Sequence, residues 1–195
     1  VVAVPARNLY PKPAGLSWEH AACLPTAWLT AYRMLFTNAD VQPGSTVLVQ
    51  GAAGGVATAL VQLGSAAGLR MWVTSRDEAR GEQALALGAD QAFSSGARLP
   101  ERVDAVMETV GAATWSHSVN SLRPGGTIVI SGATSGDAPA KAELTKIFFK
   151  QLRVVGSTMG TRDELERLSR FVVDAGIEPL VDSVLPLADA REGFE

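Results

Sequence analysis

A glycine-rich turn set between an apolar run and a helical pattern constrains this chain more than any other feature. Thr46-Val47-Leu48-Val49-Gln50 is short and almost wholly apolar, as a buried strand must be. Gln50-Gly51-Ala52-Ala53-Gly54-Gly55-Val56-Ala57 follows, and apolar residues recur at Val56, Leu60, Leu63 and Ala67 before Gly68 stops the pattern. Strand, tight turn and helix fit that order. Gly51 permits the turn, Gly54 lets the backbone approach a diphosphate, and Ala57 keeps helix and strand close. Free N–H groups at the helix start attract phosphate. The same turn could join strand to helix with no ligand, but its context makes Gly51, Ala52, Ala53, Gly54, Gly55 and Val56 candidate dinucleotide contacts.

The rest of the chain repeats the alternation. Further strands are expected at residues 70–74, 91–93, 103–108, 127–131 and 153–156. Helices are expected at 77–87, 113–122, 143–150 and 162–175, with a last one starting within 188–194. Ser17 reads as the N-cap of a helix that reaches Phe36 with a break at Pro25. Pro124-Gly125-Gly126 reads as a turn, and residues 132–139 as the most mobile loop. Nearly all-apolar strands alternating with helices imply a Rossmann-like, doubly wound α/β fold with a parallel sheet of about six strands.

Composition narrows the class. At 195 residues, 47% apolar and 19% charged, the chain can bury one sizeable core, which excludes wholesale disorder. A net charge of −3 argues against nucleic acid as a partner. No apolar run approaches the ~20 residues that a membrane span needs. The single cysteine, Cys23, excludes an intrachain disulfide and a cysteine-rich zinc site, and fits a reducing, cytoplasmic setting. The chain begins at Val1 and its first methionine is Met34, so it is expected to be a piece of a longer protein.

The second strand ends at Thr74-Ser75-Arg76, 25 residues beyond Gly51. An NAD site wants an acidic residue here for the ribose 2′-hydroxyl. A hydroxyl and a cation suit a 2′-phosphate instead, and Arg80, one helical turn on, can reach back to it. Ser75, Arg76 and Arg80 therefore point to NADP(H), against the alternative of a solvated helix start. Asp77 reads as a helix cap. The missing acid also speaks against a methyltransferase. Tyr10 and Tyr32 have Ala14 and Phe36 four residues on, so the Tyr-x-x-x-Lys pair of short-chain reductases is absent.

The ordered set of motifs resembles the medium-chain dehydrogenase/reductase family, in its quinone oxidoreductase and zinc-binding dehydrogenase branches. The resemblance runs over nearly the whole chain: Ala22-Cys23-Leu24-Pro25, Thr30-Ala31-Tyr32, Pro43-Gly44-Ser45, the glycine turn, Leu87-Gly88-Ala89-Asp90, Leu122-Arg123-Pro124-Gly125-Gly126 and Gly156-Ser157. It implies that residues 1–16 are the link from a missing GroES-like catalytic domain. Residues 17–195 would be the NAD(P)-binding domain, cut before a final returning strand. It further implies that Thr30, Thr109-Val110-Gly111 and Ser131-Gly132-Ala133-Thr134 surround the nicotinamide half of the cofactor. The catalytic residues would lie outside this chain.

In the zinc-dependent alcohol dehydrogenases of the family, a cysteine ligand stands where this chain has Thr26, a poor zinc ligand. No metal site is expected here, and zinc in the parent is not favoured. His20, His117 and Cys23 read as structural, and Glu108 as a loop anchor or a ligand residue. The leading expectation is the cofactor domain of an NADPH-dependent reductase of quinones, enones or carbonyls, inactive alone. The alternatives are a zinc-dependent alcohol dehydrogenase domain and a non-catalytic NADP(H)-sensing module. The resemblance also implies a homodimer through the edge strand near Arg153–Ser157.

Overall fold

A strand covered on both faces has no side to offer to water, and the inner strands of this chain's sheet meet that demand. The computed structural model describes residues 2–52 and 54–194. The strands are β1 (Thr46–Gln50), β2 (Arg70–Ser75), β3 (Gln91–Ser94), β4 (Val103–Glu108), β5 (Leu122–Ile130) and β6 (Arg153–Gly156). They form one sheet in the order β3-β2-β1-β4-β5-β6, with every neighbouring pair parallel. Alternate residues feed two cores. Val47, Val49, Met71, Val73, Ala105 and Met107 point to one, and Leu48, Trp72, Val106 and Ile128 to the other.

The helices divide accordingly. An N-terminal helical run, α3 (Gly55–Ala66), α4 (Glu78–Ala86) and α7 (Arg162–Asp174) supply the first core. On the opposite face lie α5 (Trp115–Ser121) and α6 (Leu144–Phe149). This is the doubly wound arrangement that the alternation implies. The strand order reverses between β1 and β4, so their C-terminal ends diverge and leave a crevice.

Three local expectations are corrected. The helix expected to break at Pro25 continues from α1 (Trp18–Cys23) through a π-helical stretch (Leu24–Trp28), α2 (Leu29–Tyr32) and a second π-helical stretch (Arg33–Asn38). The wider π turn accommodates a residue that lacks an N–H: the Leu29 N–H reaches back five residues to the Leu24 carbonyl. The turn expected at Pro124-Gly125-Gly126 lies inside β5, where the register slips from Val103↔Leu122 to Ala105↔Thr127. Gly125, at φ +76°, donates its N–H to the Lys150 carbonyl and holds this bulge. The last helix is replaced by two 3₁₀ turns, Leu187–Asp189 and Glu192–Phe194.

A buried carboxylate ties α7 to the N-terminal run. Thr161 caps α7 in a capping box with Glu164. Burial alone would push the Glu164 carboxyl up. Donation from Thr37 Oγ1 (2.6 Å), the Thr161 N–H (2.7 Å) and Arg33 Nη1 (2.6 Å) outweighs burial and draws it down to about 2. A glutamate with an ordinary pKa of 4.5 in the unfolded chain then stabilises the fold fully above that pH. The stabilisation fades as the pH falls toward 2. Glu164→Gln is expected to cost about 2–3 kcal/mol at pH 7. The gap to wild type should close between pH 4.5 and 2, which urea unfolding across that range measures.

Candidate functional site

The turn after β1 spends its first two N–H groups on the protein. Gly51 donates to Thr74 Oγ1 (3.3 Å) and Ala52 to the Thr74 carbonyl (2.8 Å), which fastens the turn to β2. Gly51 sits at φ +81°, and a Cβ there would stand 2.9 Å from Val110 Cγ2, so glycine is required twice over. Ala53 lies outside the described residues. Gly54 caps α3 in an extended conformation, and a Cβ there would meet nothing within 4 Å. That vacant space is where a ligand could come close to the backbone. Gly55 and Val56 open the 12-residue helix α3, and their N–H groups have no acceptor among the described residues. These, rather than Gly51 and Ala52, are the N–H groups available to an anion.

The end of β2 separates its two arginines. Asp77 caps α4 by accepting from the Ala79 N–H (3.0 Å), as expected. The Ser75 hydroxyl is occupied locally, donating to the Asp77 carbonyl (2.7 Å) and accepting from the Asp77 N–H (3.1 Å). Arg80 lies 3.6 Å from the Asp77 carboxylate in an exposed pair. Arg76 is exposed and makes no ion pair or hydrogen bond among the described residues. Among the described residues it is the cation at this end of the crevice whose donors have no partner.

The loops after β4 and β5 are fastened to each other. The Thr134 N–H donates to the Thr109 carbonyl (3.3 Å), the Ser135 N–H to the Val110 carbonyl (2.7 Å), and the Ala112 N–H to the Gly136 carbonyl (2.9 Å). Gly111, at φ +92°, lies so close that a Cβ would stand 2.5 Å from the Gly136 oxygen. From below, the fully buried Glu108 carboxylate accepts the N–H groups of Val110 (2.8 Å) and Gly111 (3.0 Å) and the Thr114 hydroxyl (2.8 Å). Of the two roles open to Glu108 in the sequence, the loop anchor is the one it fills.

One cleft of about 870 Å³ gathers Gly51, Ala52, Gly54, Ser75, Arg76, Arg80, Thr109, Val110 and Thr134. Ser131, Gly132 and Ala133 line a second, shallower cleft of about 600 Å³, with Gly156, Ser157, Thr158 and Arg33. Thr30 is buried on α2 and Gly111 is packed beneath its loop, so neither lines a cleft. Ser95, Gly96, Thr114, Ser135 and His117 join the first cleft without having been singled out as site residues. Only the fold brings them there, and nothing in their local pattern marks them. Gly156-Ser157 was visible as a motif, but a strand end carries no sign of its neighbour.

Thr26, which the resemblance sets at the position of a zinc-ligating cysteine, is exposed. Cys23 Sγ donates to the Glu19 carbonyl (3.4 Å). No group of three or more His, Cys, Asp or Glu side chains arranged to hold a metal occurs among the described residues. No helix among them is long and apolar enough to cross a membrane.

Residues 55–174 match the family model described as zinc-binding dehydrogenase. An acryloyl-coenzyme A reductase from Metallosphaera sedula is 30% identical over 98% of this chain and 58% of its own length. Among solved structures, a 2-octenoyl-CoA carboxylase reductase in complex with NADP and 2-octenoyl-CoA superposes with a TM-score of 0.86. It shares 29% identity, over 97% of this chain and 49% of that one. An NAD-dependent alcohol dehydrogenase superposes equally well, with a TM-score of 0.86 and 34% identity, over 98% of this chain and 58% of that one. The chain thus spans about half the length of the proteins it matches.

The fastened loops generate a test. Gly111→Ala is expected to lower stability by about 1–3 kcal/mol, since the new Cβ meets backbone at a positive φ. Thermal unfolding gives the loss. Amide exchange should localise it to residues 109–112 and 133–136.

Proposed function

The chain belongs to the zinc-binding dehydrogenase family of medium-chain dehydrogenases/reductases, and from that premise we propose that it is the cofactor-binding domain of an NADP(H)-dependent reductase. The parent would act on an activated alkene, a quinone or a carbonyl. Relatives that handle NADP and those that handle NAD resemble this chain about equally, so the choice rests on local chemistry. Arg76 carries it. A guanidinium at the end of β2 with no ion pair or hydrogen bond among the described residues suits a 2′-phosphate, and the adjoining carboxylate, Asp77, is engaged in capping α4.

The residues fit such a cofactor. The space above Gly54 and the N–H groups of Gly55 and Val56, which have no acceptor among the described residues, suit the diphosphate at the positive end of α3. Arg76, with Arg80 beside it, holds the 2′-phosphate. The linked loops after β4 and β5 border the nicotinamide half, and the cleft at the ends of β5 and β6 is the side from which a substrate approaches. The bound cofactor supplies the hydride, and this domain orients it and excludes water. Residues that bind substrate and handle protons belong to the rest of the parent, so the isolated chain binds cofactor without turnover. The CoA-thioester reductases among the relatives favour an activated alkene as the acceptor. The single free thiol suits a reducing, cytoplasmic setting.

A second copy of the chain is the proposed protein partner. β6 ends the sheet, so one of its backbone edges pairs with no strand among the described residues. Val154 on it is 43% exposed, and Leu144, Phe148 and Phe149 of the neighbouring α6 are exposed by 62–75%. An apolar edge of this kind invites pairing with its own symmetry mate.

Two outcomes are expected. Calorimetric titration at matched ionic strength should show tighter binding of NADPH than of NADH. Arg76→Ala should weaken NADPH about tenfold and change NADH by less than about twofold. Equal or tighter binding of NADH by the wild-type chain would overturn the reading. Light scattering coupled to size exclusion should give a dimer, and Val154→Lys, which places a charge on the open edge, a monomer.

A further inference from the structure

Three neighbouring strands carry, at or next to their last residues, polar side chains that have no contact with water. Gln50 closes β1, Thr74 lies beside it in the register of β2, and Glu108 closes β4; all three are 0% exposed. A buried polar group without a partner costs far more than a satisfied one contributes, so such a set survives only when its hydrogen bonds close. Here they close in one direction.

The order of donation follows from the two ends. The Gly51 N–H can only donate, and it reaches Thr74 Oγ1; the Thr74 hydroxyl then donates to Gln50 Oε1 (2.7 Å). The Gln50 amide nitrogen has two protons to place. One goes to Ser118 Oγ (3.0 Å) and the other to His117 Nδ1 (2.8 Å). His117 can accept there because its Nε2 faces the Ala97 carbonyl (2.8 Å), which only accepts, so Nε2 carries the proton. The Ser118 hydroxyl donates to Glu108 Oε2 (2.6 Å), the carboxylate that also holds the Val110 and Gly111 N–H groups. Gln50 is the hub. It connects the turn that meets the diphosphate to the loop that borders the nicotinamide ribose.

We propose that Gln50 is a positioning residue whose buried amide makes the diphosphate turn and the β4–α5 loop one preorganised surface. A dinucleotide that spans both then binds without the cost of ordering either loop separately. The inference rests on the NADP(H) reading and deepens it. It distinguishes the two halves of the ligand. A molecule confined to the Arg76 end of the cleft gains nothing from the hub, whereas the whole cofactor does.

The test compares NADPH with adenosine 2′,5′-bisphosphate, which carries the 2′-phosphate and adenosine but no nicotinamide half. Both are titrated into wild type, Gln50→Met and Ser118→Ala. The second variant removes one oxygen and cuts only the joint between Gln50 and Glu108, so it keeps the test open if Gln50→Met fails to fold. Each variant should lose about tenfold in NADPH affinity and less than about twofold for the bisphosphate. Equal losses for both ligands, or none for either, would overturn the proposal.

Amide exchange in the ligand-free chain supplies a readout independent of the cofactor. Gln50→Met should speed exchange at Gly51, Val110 and Gly111 together while leaving Leu168 and Val172 of α7 unchanged. Exchange that rises at Gly51 alone would contradict the hub. Failure of wild type to bind NADPH would overturn the functional reading instead, and the exchange result would then decide the proposal.

Discussion

A sheet covered on both faces has nowhere along its strands to put a polar side chain that must meet a ligand. In this chain the inner strands β1 and β4 obey that constraint almost to their last residues, and polar chemistry gathers at their C-terminal ends. Gln50, Thr74 and Glu108 sit at that boundary. They are buried deeply enough to need internal partners and lie close enough to the crevice for those partners to be its loops. The reversal of strand order between β1 and β4 makes the boundary useful. It opens the space between two loops that the buried hydrogen bonds hold in place.

How much of this could be read in advance depended on how local the cause was. The glycine turn, the cap at Asp77 and the strands β1, β2 and β4 follow from neighbouring residues, and each lies where its pattern puts it. The helix through Pro25 does not. Its continuation depends on packing of the N-terminal run against α3 and α7, where Ala27 lies beneath Gly55 and Glu164 grips Arg33 and Thr37. The bulge in β5 is equally non-local, since Gly125 is held by a carbonyl from beyond α6. In both cases tertiary contacts override a residue that locally signals a stop.

The end of the cleft at the glycine turn and β2 was the more legible half. Its residues follow one another along β1, its turn, and the end of β2. The motif could not show which of them have donors to spare. Ser75 and Ala52 carry the right chemistry but spend it inside the protein, while Arg76, Gly55 and Val56 find no partner among the described residues. The other end of the cleft is assembled from the loops after β4 and β5, which meet only through strand order. Its tight packing, with Gly111 under Gly136, has no signature beyond a glycine. His117 is the clearest case. It looked like an isolated histidine, and it is the residue whose fixed proton on Nε2 allows Gln50 to face two ways at once.

The central claim is that an NADP(H) molecule lies across the ends of β1, β2 and β4 with its 2′-phosphate on Arg76. A crystal structure of the chain grown with NADPH tests it most directly. The account predicts the diphosphate at the N–H groups of Gly55 and Val56 and the 2′-phosphate within hydrogen-bond distance of the Arg76 guanidinium. A cofactor bound with its adenosine away from Arg76, or with its diphosphate off the start of α3, would contradict it.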